Sequence, residues 1–169
     1  MTQRPQGGEA ARKSSGAGLQ AASLARRLAA MTYDAFLLAG LLVLASALVT
    51  LPIGLSLGVE AADALFRSAA FRWLFFLYCV MLVFGFHLWF WTHGGQTLGM
   101  RSWRIRVVRA DGAALRLSDG VRRWLAALLS WLPLGLGFLW SLVDSGRLAW
   151  HDRLSGTRLV VVPKAARPG

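Results

Sequence analysis

The sequence predicts an all-α membrane protein: two transmembrane helices and a third, broken or re-entrant helical segment, with a small cytoplasmic β-hairpin joined by a C-terminal strand. Three observations carry that expectation. Residues 31–49 and 73–91 are apolar runs long enough, at 1.5 Å per residue, to cross a hydrocarbon core about 30 Å thick. A third apolar run, residues 124–143, has similar length, but Leu132-Pro133-Leu134-Gly135 stands at its centre. Basic residues gather on one side of these runs, which assigns an orientation. With 56% hydrophobic side chains among 169 residues and a mean hydropathy of +0.49, the chain is too apolar for an ordinary soluble domain. One membrane domain is expected over residues 24–163, between a disordered basic tail, residues 1–23, and a short tail, residues 164–169.

The first 30 residues are rich in Gly, Ser, Ala and Arg and lack apolar periodicity. The first span is expected near residues 28–50, interrupted only by small or polar residues such as Asp34. Ala45-Ser46-Ala47 has the small-residue look of a leader-peptide cleavage site, but the long polar stretch ahead of the run and the Asp within it favour an anchor. Pro52, Gly54 and Gly58 should end this helix, leaving Glu60, Asp63 and Arg67 in a polar connection. The second span, about residues 72–91, has aromatic ends in Trp73, Phe75, Tyr78, Trp89 and Trp91, as interfacial belts do. The third, about residues 122–143, is either a kinked span or two half-helices folded back, because Pro133 removes a backbone donor and clashes with the preceding turn.

Outside the runs, Arg104-Ile105-Arg106-Val107 alternates like a strand, Asp111-Gly112 is a hairpin dipeptide, and residues 114–117 can return, giving a hairpin over residues 104–117. Residues 157–162 are strongly β-forming and can pair with it. Ser118 is the expected cap for a helix starting near Val121.

A net charge of +11 and a pI of 11.6 raise the question of nucleic acid, but the charges sit where topology needs them. The amino-terminal tail, the long loop after the second span and the carboxyl-terminal tail are all basic, whereas the loop between the first two spans holds only Arg67 and Arg72. The positive-inside rule puts both tails and the long loop in the cytoplasm, which a re-entrant third run satisfies. Arg101, Arg104, Arg106, Arg122 and Arg123 are then lipid-facing basic residues meeting anionic headgroups, each contributing on the order of 1 kcal/mol. The bilayer is the expected partner, and nucleic acid is not. The single cysteine, Cys79, lies in an apolar run, so no intramolecular disulfide can form.

Arg27 and Asp34 are two helical turns apart on one face, with Asp34 about 10 Å deeper. An ionised Asp at that depth costs a few kcal/mol unless it faces protein or water, so a partner from another element is required. His87 lies about 6 Å from the same boundary and is the geometric candidate. Arg27, Asp34 and Asp152 are expected in one buried polar cluster with His87 and His151, in which Asp34 is either a packing clasp or a proton or cation site. His151-Asp152-Arg153 lacks a nucleophile beside it, and neither HExxH nor GxSxG occurs, so no catalytic residue, metal or cofactor is expected. Residues 94–99, Gly-Gly-Gln-Thr-Leu-Gly, lack the ending that holds a nucleotide and read as a turn leaving the membrane.

Taken together, Arg27-Leu28-Ala29-Ala30 with Tyr33-Asp34, then Gly95-Gln96-Thr97-Leu98-Gly99, then Arg104-Ile105-Arg106-Val107-Val108 with Asp111-Gly112, and lastly Trp150-His151-Asp152-Arg153-Leu154-Ser155-Gly156-Thr157 resemble the RDD family. These are small bacterial membrane proteins named for one arginine and two aspartates. The likeness covers about residues 24–163. Met100 departs from it where a Lys is frequent, with Arg101 the nearest charge, and Arg104 departs where a Gly is common. The resemblance implies a multi-pass protein of the bacterial inner membrane, for which transport is the usual suggestion. Two functions stay open: a transport-related protein, cation or proton coupled and oligomeric, using Asp34 with His87 or Asp152 and tuned by Arg27; or a scaffold or assembly factor with a structural Arg/Asp cluster, a basic cytoplasmic face and a membrane-protein partner.

Overall fold

The structure, a computed structural model, describes residues 20–163. Its first helix, α1 (Leu24–Leu57), has 34 residues, about 51 Å at 1.5 Å per residue. The expectation that Pro52 ends it is corrected: the helix runs through Pro52 and stops at Gly58, whose φ of 76° lies in the left-handed region. The proline forfeits one backbone bond, while the hydroxyls of Thr50 and Ser56 donate back to the carbonyls of Ser46 and Pro52 at 2.9 and 2.8 Å. The polar connection is itself helical, α2 (Val59–Arg67), with an Asp63–Arg67 pair one turn apart at 2.9 Å. Ser68 then caps α3 (Ala69–Thr92), accepting from the Phe71 amide at 3.2 Å.

Both α1 and α3 are long and apolar enough to cross a membrane. Their outer faces leave Phe36, Leu48, Leu55, Trp73, Leu74 and Trp89 exposed, an apolar surface of the kind that marks a membrane or protein contact. After α3 come α4 (Leu98–Ser102), strand β1 (Ile105–Arg109) and α5 (Leu117–Trp131). The chain breaks at residues 132–135 and continues as α6 (Leu136–Leu139) with a 3-10 turn, Trp140–Leu142. It closes with α7 (Trp150–Ser155) and β2 (Thr157–Val161).

The third apolar run is a bent pair, its two halves meeting at 108°. Pro133 and the positive φ angles of Leu134 and Gly135, 53° and 82°, make the corner. Ser118 is not the cap of α5: the helix starts earlier, at Leu117, and the Asp119 carboxylate accepts from the Arg116 amide at 3.0 Å. An ionised carboxylate is the stronger acceptor, and it stands at the positive end of the helix dipole.

The expected hairpin over residues 104–117 is also corrected. Asp111-Gly112 does turn the chain, with the Arg109 amide donating to the Ala113 carbonyl at 2.9 Å, but residues 114–116 form no strand. β1 pairs antiparallel with β2 instead, from Ile105 opposite Val161 to Arg109 opposite Thr157. The Leu-Val-Val run of β2 buries more apolar surface than Ala113-Ala114-Leu115 could, and Leu115 turns into the core alone. On the other edge of β2, Ala21 makes an isolated bridge to Val160, so residues 20–22, counted above with the tail, are bonded to the edge of the two-stranded sheet. Residues 1–19 and 164–169 of the expected tails lie outside the described residues. Arg104 enters β1 with a φ of 51°, a conformation that costs a residue with a Cβ and suits glycine, which is what the resemblance led one to expect at that position.

Around this sheet Ala22, Ala30, Trp91, Ile105, Val107, Leu115 and Leu159 form the core. The start of α1, the end of α3, the start of α5, α7 and both strands thus meet at one end of the helices.

Candidate functional site

Two polar centres sit at that end. In the first, Asp152 bridges two guanidiniums: Arg27 Nη1 donates to Oδ2 at 2.5 Å and Arg123 Nη1 to Oδ1 at 2.7 Å. The three residues are between 1% and 3% exposed. Arg27 spends its remaining donors on the Ala22 and Arg147 carbonyls, at 3.2 and 2.9 Å. Arg123 Nη1 also reaches Thr157 Oγ1 at 2.7 Å, and Asp152 Oδ2 accepts from the Ala149 amide at 3.1 Å, capping α7. Gly156, with a φ of 64°, ends α7 in the left-handed conformation and so delivers Thr157 to β2 and to Arg123. One carboxylate therefore ties α1, α5, α7 and β2 together.

Electrostatics follow from that geometry. Burial alone would raise the Asp152 carboxyl, but the charges of Arg123 and Arg27 hold it well below the usual carboxylate range. His151, with Nε2 at 3.5 Å from Asp152 Oδ1, is pushed down to about 3 by burial, reinforced by the Arg123 charge. At neutral pH it is an uncharged imidazole, its ring 4.7 Å from that of Phe138 and tilted 50° to it.

The second centre is Asp34. Its Oδ2 accepts from Thr97 Oγ1 at 2.5 Å and its Oδ1 from the Gly99 amide at 2.8 Å. Thr97 in turn accepts from the Met100 amide at 3.2 Å, so it caps α4 while holding Asp34. Of the residues expected in one buried polar cluster, Arg27, Asp34 and Asp152 are all buried; Arg27 and Asp152 are bonded to each other, and Asp34 takes its hydrogen bonds from Thr97 and Gly99. His87 is not its hydrogen-bond partner, since His87 Nδ1 bonds the Val83 carbonyl one turn back at 2.9 Å.

What reunites the residues is a cavity of about 300 Å³, whose lining includes Arg27, Asp34, His87, Arg123 and His151. Apolar side chains form the rest of its wall, among them Leu38, Val83, Leu128, Trp131 and Phe138 of α1, α3, α5 and α6, with Met100, Ile105 and Leu159 closing it at the sheet. Among the described residues, no group of three or more His, Cys, Asp or Glu side chains is arranged to hold a metal ion.

Of the basic residues expected to face lipid, Arg101, Arg104, Arg106 and Arg122 are exposed. Arg123 is not: it is buried and bound to Asp152, because it shares the inward face of α5 with Ala126 and Ser130, three and then four residues further on. That spacing was available in the sequence. Thr97 and Gly99 were missed because a short polar turn carries no periodicity; the signal was a hydroxyl followed two residues later by a glycine, side by side with a buried acid in need of donors.

Gly99 shows how tightly α4 sits on α1. A Cβ built there would lie 2.3 Å from the Ala30 carbonyl oxygen and 2.9 Å from Asp34 Oδ1. Gly99→Ala is expected to push α4 off α1 and destabilise by about 1–3 kcal/mol. Thermal melting in detergent checks this, and an unchanged midpoint would mean that α4 does not dock as described.

The comparisons with known proteins agree with this geometry. The family model of the RDD family matches residues 21–156, from the strand-like segment before α1 to the glycine that ends α7. No curated protein and no solved structure matches the chain. Arg27, Asp34 and Asp152, the arginine and the two aspartates that carried the resemblance, all lie within the matched residues, and the chain belongs to the RDD family.

Proposed function

We propose that this membrane protein is transport-related, that the cavity beneath its polar end is the binding site, and that Asp34 is the group there that takes a proton or cation. The observation that carries the reading is convergence. Arg27 and Asp34 from α1, His87 from α3, Arg123 from α5 and His151 from α7 line one cavity, at a depth where charged groups are costly unless they work or are paired. A scaffold needs the Arg27–Asp152–Arg123 clasp but has no need of a cavity beside it. Two spans enclose no path by themselves, so the reading includes an oligomer. A specific observation favours the scaffold as second reading: both oxygens of Asp34 already hold donors.

In the proposed orientation both termini are cytoplasmic and the third run is re-entrant. Arg123 and Asp152 are bonded, so residues 124–151 leave and return to one place, and β2 pairs with β1. Reporter fusions after Pro163, within residues 110–113 and at the amino terminus should all read the cytoplasmic side. An external reading after Pro163 alone would make the third run a full crossing. Function itself is tested by ion and pH flux in proteoliposomes of the purified protein, wild type beside Asp34→Asn. Flux in the first that is lost in the second supports the reading, and none in either favours the scaffold.

A further inference from the structure

We propose that the cavity takes a small amphiphile with an oxyanion head, a carboxylate or a phosphate monoester on one short hydrocarbon chain. The proposal rests on the cavity being the binding site. Trp91, Arg123 and His151 line it and are only 6%, 3% and 5% exposed. Each keeps a buried nitrogen with no hydrogen-bond partner among the described residues: Trp91 Nε1, Arg123 Nε and His151 Nδ1. Buried polar groups are nearly always paired, so three on one wall need an explanation. The indole N–H and the guanidinium Nε–H can only donate, and the imidazole nitrogen serves in either sense according to its tautomer.

The three nitrogens belong to neighbouring side chains. The Arg123 guanidinium lies 5.4 Å from the centre of the Trp91 ring, and Arg123 Nη1 and His151 Nε2 approach the same Asp152 oxygen, at 2.7 and 3.5 Å. Acceptors on one head group answer the two obligate donors, Trp91 Nε1 and Arg123 Nε, which an ammonium group cannot do. Charge points the same way. Arg27 and Arg123 share a single carboxylate, Asp152, leaving one positive charge in that trio beside the Trp91 and Arg123 nitrogens, whereas the carboxylate on the wall, Asp34, is held apart from them on Thr97 and Gly99. Beside this polar floor the lining is apolar, with Leu38, Val83, Leu128, Trp131 and Phe138. Along α1 the rise from Arg27 to Leu38 is about 16 Å, room for a chain behind the head. A volume of about 300 Å³ is at the small end of ligand sites, which suits one short chain rather than a two-chain phospholipid.

The test is calorimetric titration of the full chain in phosphatidylcholine nanodiscs, with protein-free discs subtracted. Octanoate, octyl phosphate, methyl octanoate and octylamine are the probes. Octanoate, octyl phosphate or both should bind at least tenfold more tightly than the ester and the amine, and the two acids distinguish carboxylate from phosphate. Trp91→Phe keeps the ring but removes the N–H, and should weaken the preferred acid roughly tenfold, as for a lost hydrogen bond to a charged group, without changing the ester. The comparison among probes on the wild-type protein stands even where the variant fails to fold. Equal binding of ester and acid overturns the oxyanion head while leaving the cavity a binding site. Absence of binding by every probe, or binding untouched by Ala127→Trp, which fills the cavity, overturns both.

Discussion

Asp152→Leu is expected to lower stability by about 3–5 kcal/mol, enough to leave little folded protein at physiological temperature. The substitution strips the shared counter-ion from Arg27 and Arg123 and the acceptor from the Ala149 amide at one stroke. Both guanidiniums are nearly fully buried, so each becomes a buried charge with incomplete pairing. The cost comes from what is left behind, not from the worth of the bridge. Replacing all three groups, Arg27→Met and Arg123→Met with Asp152→Leu, should therefore melt well above the single variant. Melting of purified protein in nanodiscs reads both. A single variant within about 1 kcal/mol of wild type, or a triple variant no better than the single one, would show that the cluster is hydrated and not the clasp described.

The elements were legible wherever a local rule governs. Apolar length gave α1 and α3, Pro133 with Gly135 gave the break, and the β-forming residues of β2 placed it against β1. Where two local rules competed, tertiary burial decided: Asp111-Gly112 turns the chain as a hairpin would, yet Val107 and Val108 find Leu159 and Arg158 opposite them rather than the residues just past the turn. The polar end was legible in part. Arg27 and Asp152 were matched across 125 residues only because both needed partners and both sat at one boundary, and that requirement names a cluster without naming its bonds. Thr97 and Gly99 supply their hydroxyl and amide to Asp34 through the docking of α4, which no periodicity announces. The cavity is a property of how α1, α3, α5 and α6 diverge, and nothing in the order of residues states it.

Asp34→Asn and Asp34→Leu should part company. Asparagine keeps an oxygen for the Gly99 amide, and its own amide can donate to Thr97 Oγ1, whose lone pairs accept equally well. Both contacts survive with the shape, and only the Thr97 O–H proton must find a new acceptor, so the Asn variant should melt within about 1–2 kcal/mol of wild type. Leucine leaves the Gly99 N–H and the Thr97 hydroxyl buried without acceptors, at about 1–3 kcal/mol each, and should express poorly and melt early. Stability alone therefore does not separate a clasp from a working acid, because the Asn variant is stable under either. Flux does. An amide has no charge to cycle, so if Asp34 carries the proton or cation, the folded Asn variant should be silent in proteoliposomes in which wild type is active. Should it match wild type instead, the two hydrogen bonds to α4 are the whole purpose of Asp34, and the cavity would have to work without a titrating wall or give way to the scaffold reading.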